Sequence, residues 1–384
     1  MNLEPETILL EKIFITIPWF LPAFRAGGPV QSIANLIREY HDGVEYFIFC
    51  SDVDLNGAVL ENITTGEWVR YNNHTQVWYA LPEKLSETMV KQVAAVKPGI
   101  LFIIGIFSWH FNMVPLLHCK APKKIISTRG MLHPGALSQK SWKKKIYLRL
   151  FKLLEYHYKV HFHATDEEEH QYINNYFDGI PEIFTAGNFP NQLGRLPMPA
   201  KEPGNLILIS VGIVSPMKNI LLVLRTLEKA LANIQYDIYG PVKDLEYWEA
   251  CLVQIKRLPA NISVLMHKEI EPIKVAAAIA AAHVFILPSK SENFGHAIYE
   301  ALSAGRPVIT SYNTPWNQLR LGMAGMNVSL EDNQSLSEAI TFFAAMDDNT
   351  LAQWHHGALA YAAKAIDLET LRQQYRTMFA PSSS

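Results

Sequence analysis

Residues 284–310, VFILPSKSENFGHAIYEALSAGRPVIT, hold the pattern that most restricts what this chain can become. The apolar run 284–287 is short and does not alternate, so it reads as a strand buried on both faces of a parallel sheet. Pro288 ends it, and Lys290, Ser291, Glu292 and Asn293 form a polar loop. A helical spacing starts near Phe294 and runs to Ala304, with Phe294, Ile298, Ala301 and Leu302 on one face. Gly305 stands where a helix needs a left-handed terminal residue, Pro307 follows, and 308–310 is the next strand. The stretch is a strand–loop–helix–strand unit.

Ligands of such units sit at the carboxyl ends of the strands. That puts Glu292 in the binding loop and Glu300 about two turns along the helix. The expected first amides of the helix, at Phe294, Gly295 and His296, suit an anion such as a phosphate. Gly295 lets backbone approach a ligand closely. Carboxylates beside an anion site are consistent if they accept bonds from hydroxyls while amides and a cation hold the phosphate. A sugar nucleotide carries both kinds of group.

Glu292 and Glu300, set within PSxSENFGxxxxEAxxxGxPVI, resemble the signature of family-four retaining glycosyltransferases. The resemblance covers most of the chain and is sharpest in the second half. It implies the α/β GT-B fold: two Rossmann-like, doubly wound domains facing across a cleft, with a C-terminal helix crossing back to the first. It implies a nucleotide-diphosphate sugar as co-substrate, with no metal required. It also implies a glycan or lipid-linked sugar acceptor, as in bacterial capsule, exopolysaccharide or O-antigen assembly. Relatives are thought to react on one face of the sugar, the departing phosphate helping to deprotonate the acceptor. Two other readings stay open: a nucleotide-sugar epimerase on the same architecture, and a binding relative without turnover.

Length and composition agree with two ordinary domains. The chain has 384 residues, of which 49% are hydrophobic and 18% charged, enough to bury two cores. A net charge of −2 gives no case for nucleic acid. Three scattered cysteines, Cys50, Cys119 and Cys251, form no metal pattern and suit a reducing cytoplasm. Residues 13–20 read as a first strand, too short for a signal peptide, and no run approaches a membrane span. The domains are expected at 1–190 and 205–366, with a linker at 191–204 rich in Gly and Pro and a crossover helix and tail at 367–384.

In the first domain, the loop after strand 12–17 ends in Gly27-Gly28-Pro29 and leads into a helix. The pair is either a bare tight turn or, as the resemblance favours, a ligand-facing loop. Asp52 and Asp54 read as a solvated loop rather than a metal site. His161 and His163 alternate on one strand without a third ligand and read as structural. Residues 127–134, STRGMLHP, follow another strand. Relatives place a donor-facing histidine near Arg129, so the resemblance puts Arg129 and His133 among the donor-binding candidates. For His133, a plain turn residue is an equal alternative. The following helix interleaves Lys140, Lys143, Lys144, Lys145, Arg149 and Lys152 with Trp142, Ile146, Tyr147, Leu148, Leu150 and Leu154. It suits an anionic membrane surface with Lys143, Lys144 and Lys145 facing it, or a domain helix with one solvated cationic face. The expected station is therefore cytoplasmic, with peripheral attachment to the inner face of the plasma membrane as the membrane alternative.

In the second domain, strand 206–211 runs into Gly212-Ile213-Val214-Ser215-Pro216-Met217-Lys218. The family usually shows an Arg and a Lys here, clamping the diphosphate. Lys218 matches, but Ile213 stands where the Arg is expected, which leaves Arg129 or Arg25 as substitutes or donor binding weaker. The resemblance makes Lys218 and Glu292 the catalytic pair, with Asn293, Phe294, Gly295, His296 and Glu300 around the donor. It puts the base near 267–272. Residues 314–316, Thr-Pro-Trp, read as a helix start beside the donor site.

Overall fold

The computed structural model describes residues 10–133, 136–137, 141–177, 179, 182–331 and 334–381. They form two units, one from 1–189 with 368–384 and one from 190–367.

The first unit is built on β1 (Glu11–Thr16), β2 (Val44–Ser51), β3 (Trp68–Asn72), β4 (Thr75–Ala80), β5 (Ile100–Ile104), β6 (Lys123–Ser127), β7 (His161–Ala164) and β8 (Ile183–Thr185). Their order in the sheet is β3-β4-β2-β1-β5-β6-β7-β8. Only the β3–β4 pairing is antiparallel. The central strands are apolar throughout because both faces are covered. Phe14, Phe49, Leu101 and Ile103 enter one core, and Ile13, Ile15, Ile48 and Phe102 enter the other. The C-terminal helix Leu368–Met378 belongs to this unit and adds Tyr375 and Met378 to the second of those cores.

The second unit holds β9 (Asn205–Val211), β10 (Asn233–Tyr239), β11 (Ile262–His267), β12 (Val284–Leu287), β13 (Val308–Ser311) and β14 (Gly325–Val328). All are parallel, in the order β11-β10-β9-β12-β13-β14. This is the doubly wound order in which the chain reverses direction between its first and fourth strands. Helices cover both faces: Leu208, Ile286 and Ile309 pack one side, Ile209, Phe285 and Val308 the other. Each sheet therefore has one switch point, β1/β5 in the first unit and β9/β12 in the second. Among the described residues no helix is long and apolar enough to cross a membrane.

Four local expectations are corrected. The segment 191–204 is not a loose tether but part of the second unit. The Leu196 amide donates to Ala304 O (3.3 Å), and Lys201 Nζ donates to the carbonyls of Ala344 and Met346 (3.0 and 2.7 Å). Its prolines break periodicity without breaking packing. Residues 314–316 open no helix: they lie in irregular chain, with Trp316 buried. Asp52 and Asp54 are buried rather than solvated, and Asp54 Oδ2 pairs with Arg25 Nη1 at 3.0 Å. Lys144, expected on the outer face of its helix, turns inward. Its Nζ donates to Ala136 O (2.6 Å) and lies over the Phe107 ring (5.3 Å), while Lys143 and Lys145 remain exposed.

Candidate active site

Two loops meet at the switch point of the second sheet. The loop leaving β9 turns through Ser215, whose carbonyl accepts the Lys218 amide (3.0 Å). The loop leaving β12 is tied to it where the Lys290 amide donates to Met217 O (2.8 Å). The next layer backs this loop, as Ser311 Oγ donates to Ser289 O (2.5 Å). These backbone ties bring Lys218 and Glu292 together across 74 residues of sequence, with Lys218 Nζ 2.5 Å from Glu292 Oε1. The same oxygen accepts Ser289 Oγ (2.6 Å). The side chains keep 22% and 10% exposure, so the pair is sheltered but reachable.

The helix after this loop runs His296–Ser303, and its N-terminal cap is Gly295 in the left-handed region (φ 76°). It starts two residues later than its spacing suggests, because Gly295 turns the chain before the helix begins. Its carbonyl takes the amides of Ile298 (2.9 Å) and Tyr299 (3.1 Å). The leading helical amides are therefore those of His296 and Ala297, and Phe294 lies outside the helix. No acidic residue occupies the first turn, so the positive end of the helix dipole is not neutralised there. Trp316 fixes the turn: its Nε1 donates to Phe294 O (2.5 Å) and its ring meets Phe294 edge-on at 5.2 Å. The Thr-Pro-Trp stretch thus buttresses the loop instead of starting a helix. Asn293 lies half-buried between Glu292 and this turn.

Glu300 is buried on the same helix and accepts Asn191 Nδ2 at 3.0 Å. Further along, His267 Nε2 lies 2.6 Å from Asp237 Oδ1, and its ring stacks flat on Tyr239 (4.2 Å, 6°). This gives the ends of β10 and β11 a planar aromatic surface at the loop expected to meet a base. Spacing gave no sign of Ser289, Asn191 or the Asp237–His267 pair. Only the Pro-Ser turn before Glu292 pointed towards the first.

The other candidates belong to the first unit. Gly27 is left-handed (φ 69°) and caps the helix Gly28–Glu39, and a side chain at Gly28 would meet open space. These glycines follow β1, at that sheet's own switch point. Arg129 has φ +50°, and its Nη1 donates to Asn188 Oδ1 (2.5 Å). The residues on either side of it are clamped by buried Glu169, whose Oε1 accepts Thr128 Oγ1 (2.6 Å) and the Gly130 amide (2.5 Å). Glu169 thus organises this loop from the first turn of the helix Glu167–Tyr176. His133 rests edge-on against Tyr172 (5.3 Å). Of the two proposed substitutes for the absent Arg at 213, Arg25 is engaged by Asp54 and Arg129 by Asn188. His163 is fully buried between Ser127 Oγ and Ala186 O, at 2.8 Å each, as its structural reading expects. Among the described residues no three His, Cys, Asp or Glu converge as a metal-binding group.

Residues 198–358 match the model of the family described as glycosyl transferases group 1. That match falls within the second unit. Solved structures extend the likeness to the GT-B fold of the whole chain. The sucrose-phosphate synthase of Thermosynechococcus elongatus is 20% identical over 97% of this chain and 100% of that one, with a TM-score of 0.68. HepE of Anabaena, solved with UDP and glucose, is 16% identical over 96% and 99%, with a TM-score of 0.70. WaaG, a glycosyltransferase involved in lipopolysaccharide biosynthesis, is 12% identical over 96% and 99%, with a TM-score of 0.63. No curated protein sequence matches the chain. The Lys218–Glu292 pair, the Gly295 cap and Glu300 all lie inside the stretch matched as a glycosyltransferase domain.

Proposed function

We propose that this protein is a retaining glycosyltransferase. In this reading it moves a sugar from a nucleotide-diphosphate sugar to a glycan or lipid-linked acceptor. The observation that carries the reading is the Lys218–Glu292 contact at the β9/β12 switch point, beside a helix start with no acidic residue. Breaking the anomeric bond leaves negative charge on the diphosphate and positive charge on the sugar. Lys218 and the amides of His296 and Ala297 stabilise the first. Glu292 accepts hydroxyls of the sugar, and Glu300 accepts those of the ribose. That HepE was solved with UDP-glucose supports a nucleotide sugar as the class of donor.

No covalent nucleophile is assigned. The departing phosphate takes the acceptor proton on the face it leaves, so the anomeric configuration is kept. Surface-polysaccharide assembly is the favoured setting, and WaaG, of the same fold, belongs to such a pathway. The test begins with a panel of nucleotide sugars scored by thermal stabilisation, followed by transfer with the best donor. Lys218→Ala is expected to lower transfer about 100-fold or more with the melting temperature little changed. NMR of the product should show the donor's anomeric configuration. Inversion rejects the retaining assignment, and isomerised donor formed without any acceptor favours an epimerase.

A further inference from the structure

The helix Ser141–Leu153 buries one face and leaves a second apolar face uncovered. Leu148 and Phe151 enter the first unit's core. Trp142, Ile146, Leu150 and Leu153 instead stand 63%, 47%, 50% and 76% exposed. At 3.6 residues per turn these four fall within an arc of about 80°. Large apolar side chains scattered singly over a surface need no explanation, but a contiguous stripe of four does. The stripe has cationic edges. Lys143 borders one side, and Arg149, Lys145 and Lys152 border the other, all of them exposed. The segment 141–153 contains no Asp or Glu. Lys144, the one cation on the buried side, is turned inward as described above.

We propose that this helix docks the first unit onto an anionic phospholipid surface, lying in the plane of the interface. Trp142, Ile146, Leu150 and Leu153 enter the boundary between headgroups and acyl chains. Their cationic neighbours extend their stems along the apolar stripe and hold their charges among lipid phosphates. Charge favours this occupant over a second copy of the chain. Pairing the stripe with itself sets cationic edges against cationic edges, with no carboxylate in the helix to answer them. The docking stands on this helix alone and does not depend on the transfer reading.

The full-length protein is mixed with vesicles of phosphatidylcholine alone, or with added phosphatidylglycerol, and centrifuged. Binding is expected to be at least about tenfold tighter to the anionic vesicles, to weaken with salt, and to shift Trp emission to the blue. The paired substitution Ile146→Ser with Leu150→Ser should abolish binding, and so should Lys145→Glu with Arg149→Glu. Both pairs change exposed residues, so the fold and transfer to a soluble acceptor should be kept. That separates loss of docking from failure of the proposed activity. Equal binding to neutral vesicles, no binding, or unchanged binding by either pair overturns the proposal. So does a dimer in light scattering that the Ile146→Ser, Leu150→Ser protein loses, since it makes a second copy the occupant.

Discussion

Glu292 Oε1 receives two donors of different kinds, the charged Lys218 Nζ and the neutral Ser289 Oγ. In the proposed reading, a diphosphate arriving at Lys218 competes with Glu292 for the ammonium, whereas it leaves the Ser289 hydroxyl bonded to the carboxylate. On that reading Ser289 keeps Glu292 oriented once Lys218 has turned to the donor. A hydrogen bond to a charged group contributes about 1.5–3 kcal/mol, so Ser289→Ala should cost turnover between about tenfold and about 150-fold. The loss should fall in kcat rather than in donor affinity, and Ser289→Thr should restore part of it. Steady-state kinetics over donor concentration measure this, and an unchanged kcat removes Ser289 from the site. Glu292 was legible from its place in the loop after a buried strand, whereas Lys218 was legible only through the family resemblance of its turn. Ser289, Asn191 and Glu169 escaped because their importance lies in partners 3, 109 and 39 residues or more away, and the sequence prints none of these pairings.

At the scale of elements, apolar runs and helical spacing made the strands legible, and what they missed was the chain between them. The 284–310 unit appears as read, down to left-handed Gly305 (φ 82°), yet its helix starts late. Helical spacing counts Phe294 on the apolar face, but Phe294 is apolar because Trp316 packs against it, not because it is helical. The misread start of 314–316 has the same origin: Trp316 is used as a prop. The 191–204 segment shows the limit from the other side, since Gly and Pro mark an end to periodicity but not to packing. Gly295 is constrained both by its backbone and by its neighbours. It needs φ 76°, and an added Cβ would lie 3.2 Å from both Ile298 Cδ1 and Trp316 Nε1. Gly295→Ala should therefore destabilise the second unit by about 1–2 kcal/mol and shift the loop that carries Glu292. Transfer should fall while Trp316 becomes more accessible to a fluorescence quencher. Wild-type stability together with wild-type quenching would show that the turn tolerates a side chain.

Across the whole molecule, each unit repeats one solution, a sheet buried on both faces, and each stakes buried neutral histidines on it. In the first unit His163 donates from Nε2 to Ala186 O and accepts Ser127 Oγ at Nδ1. Burial first, and then the Arg129 guanidinium, lower its pKa to about 3. In the second unit, burial and then the Arg306 guanidinium lower His355 to about 4. His283 is also lowered, chiefly by burial, and its Nδ1 accepts the Ile207 amide (2.9 Å), a bond that protonation removes. All three groups bind protons less readily folded than unfolded. Between the ordinary histidine value of about 6.5 and their folded values, the unfolded chain holds more protons, so stability rises with pH through that window. Their contribution is complete above about pH 6.5 and is lost as the pH falls towards 4 and then 3. One unmatched proton gives a slope of about 1.4 kcal/mol per pH unit. Urea unfolding of the full chain at several pH values from neutrality to about 4.5 should show this decline. His163→Gln keeps the bond to Ala186 and cannot titrate, so it should be less stable at neutral pH and show a slope shallower by up to that amount. If the substituted protein declines as steeply as the original, the first unit's acid sensitivity belongs to groups other than His163.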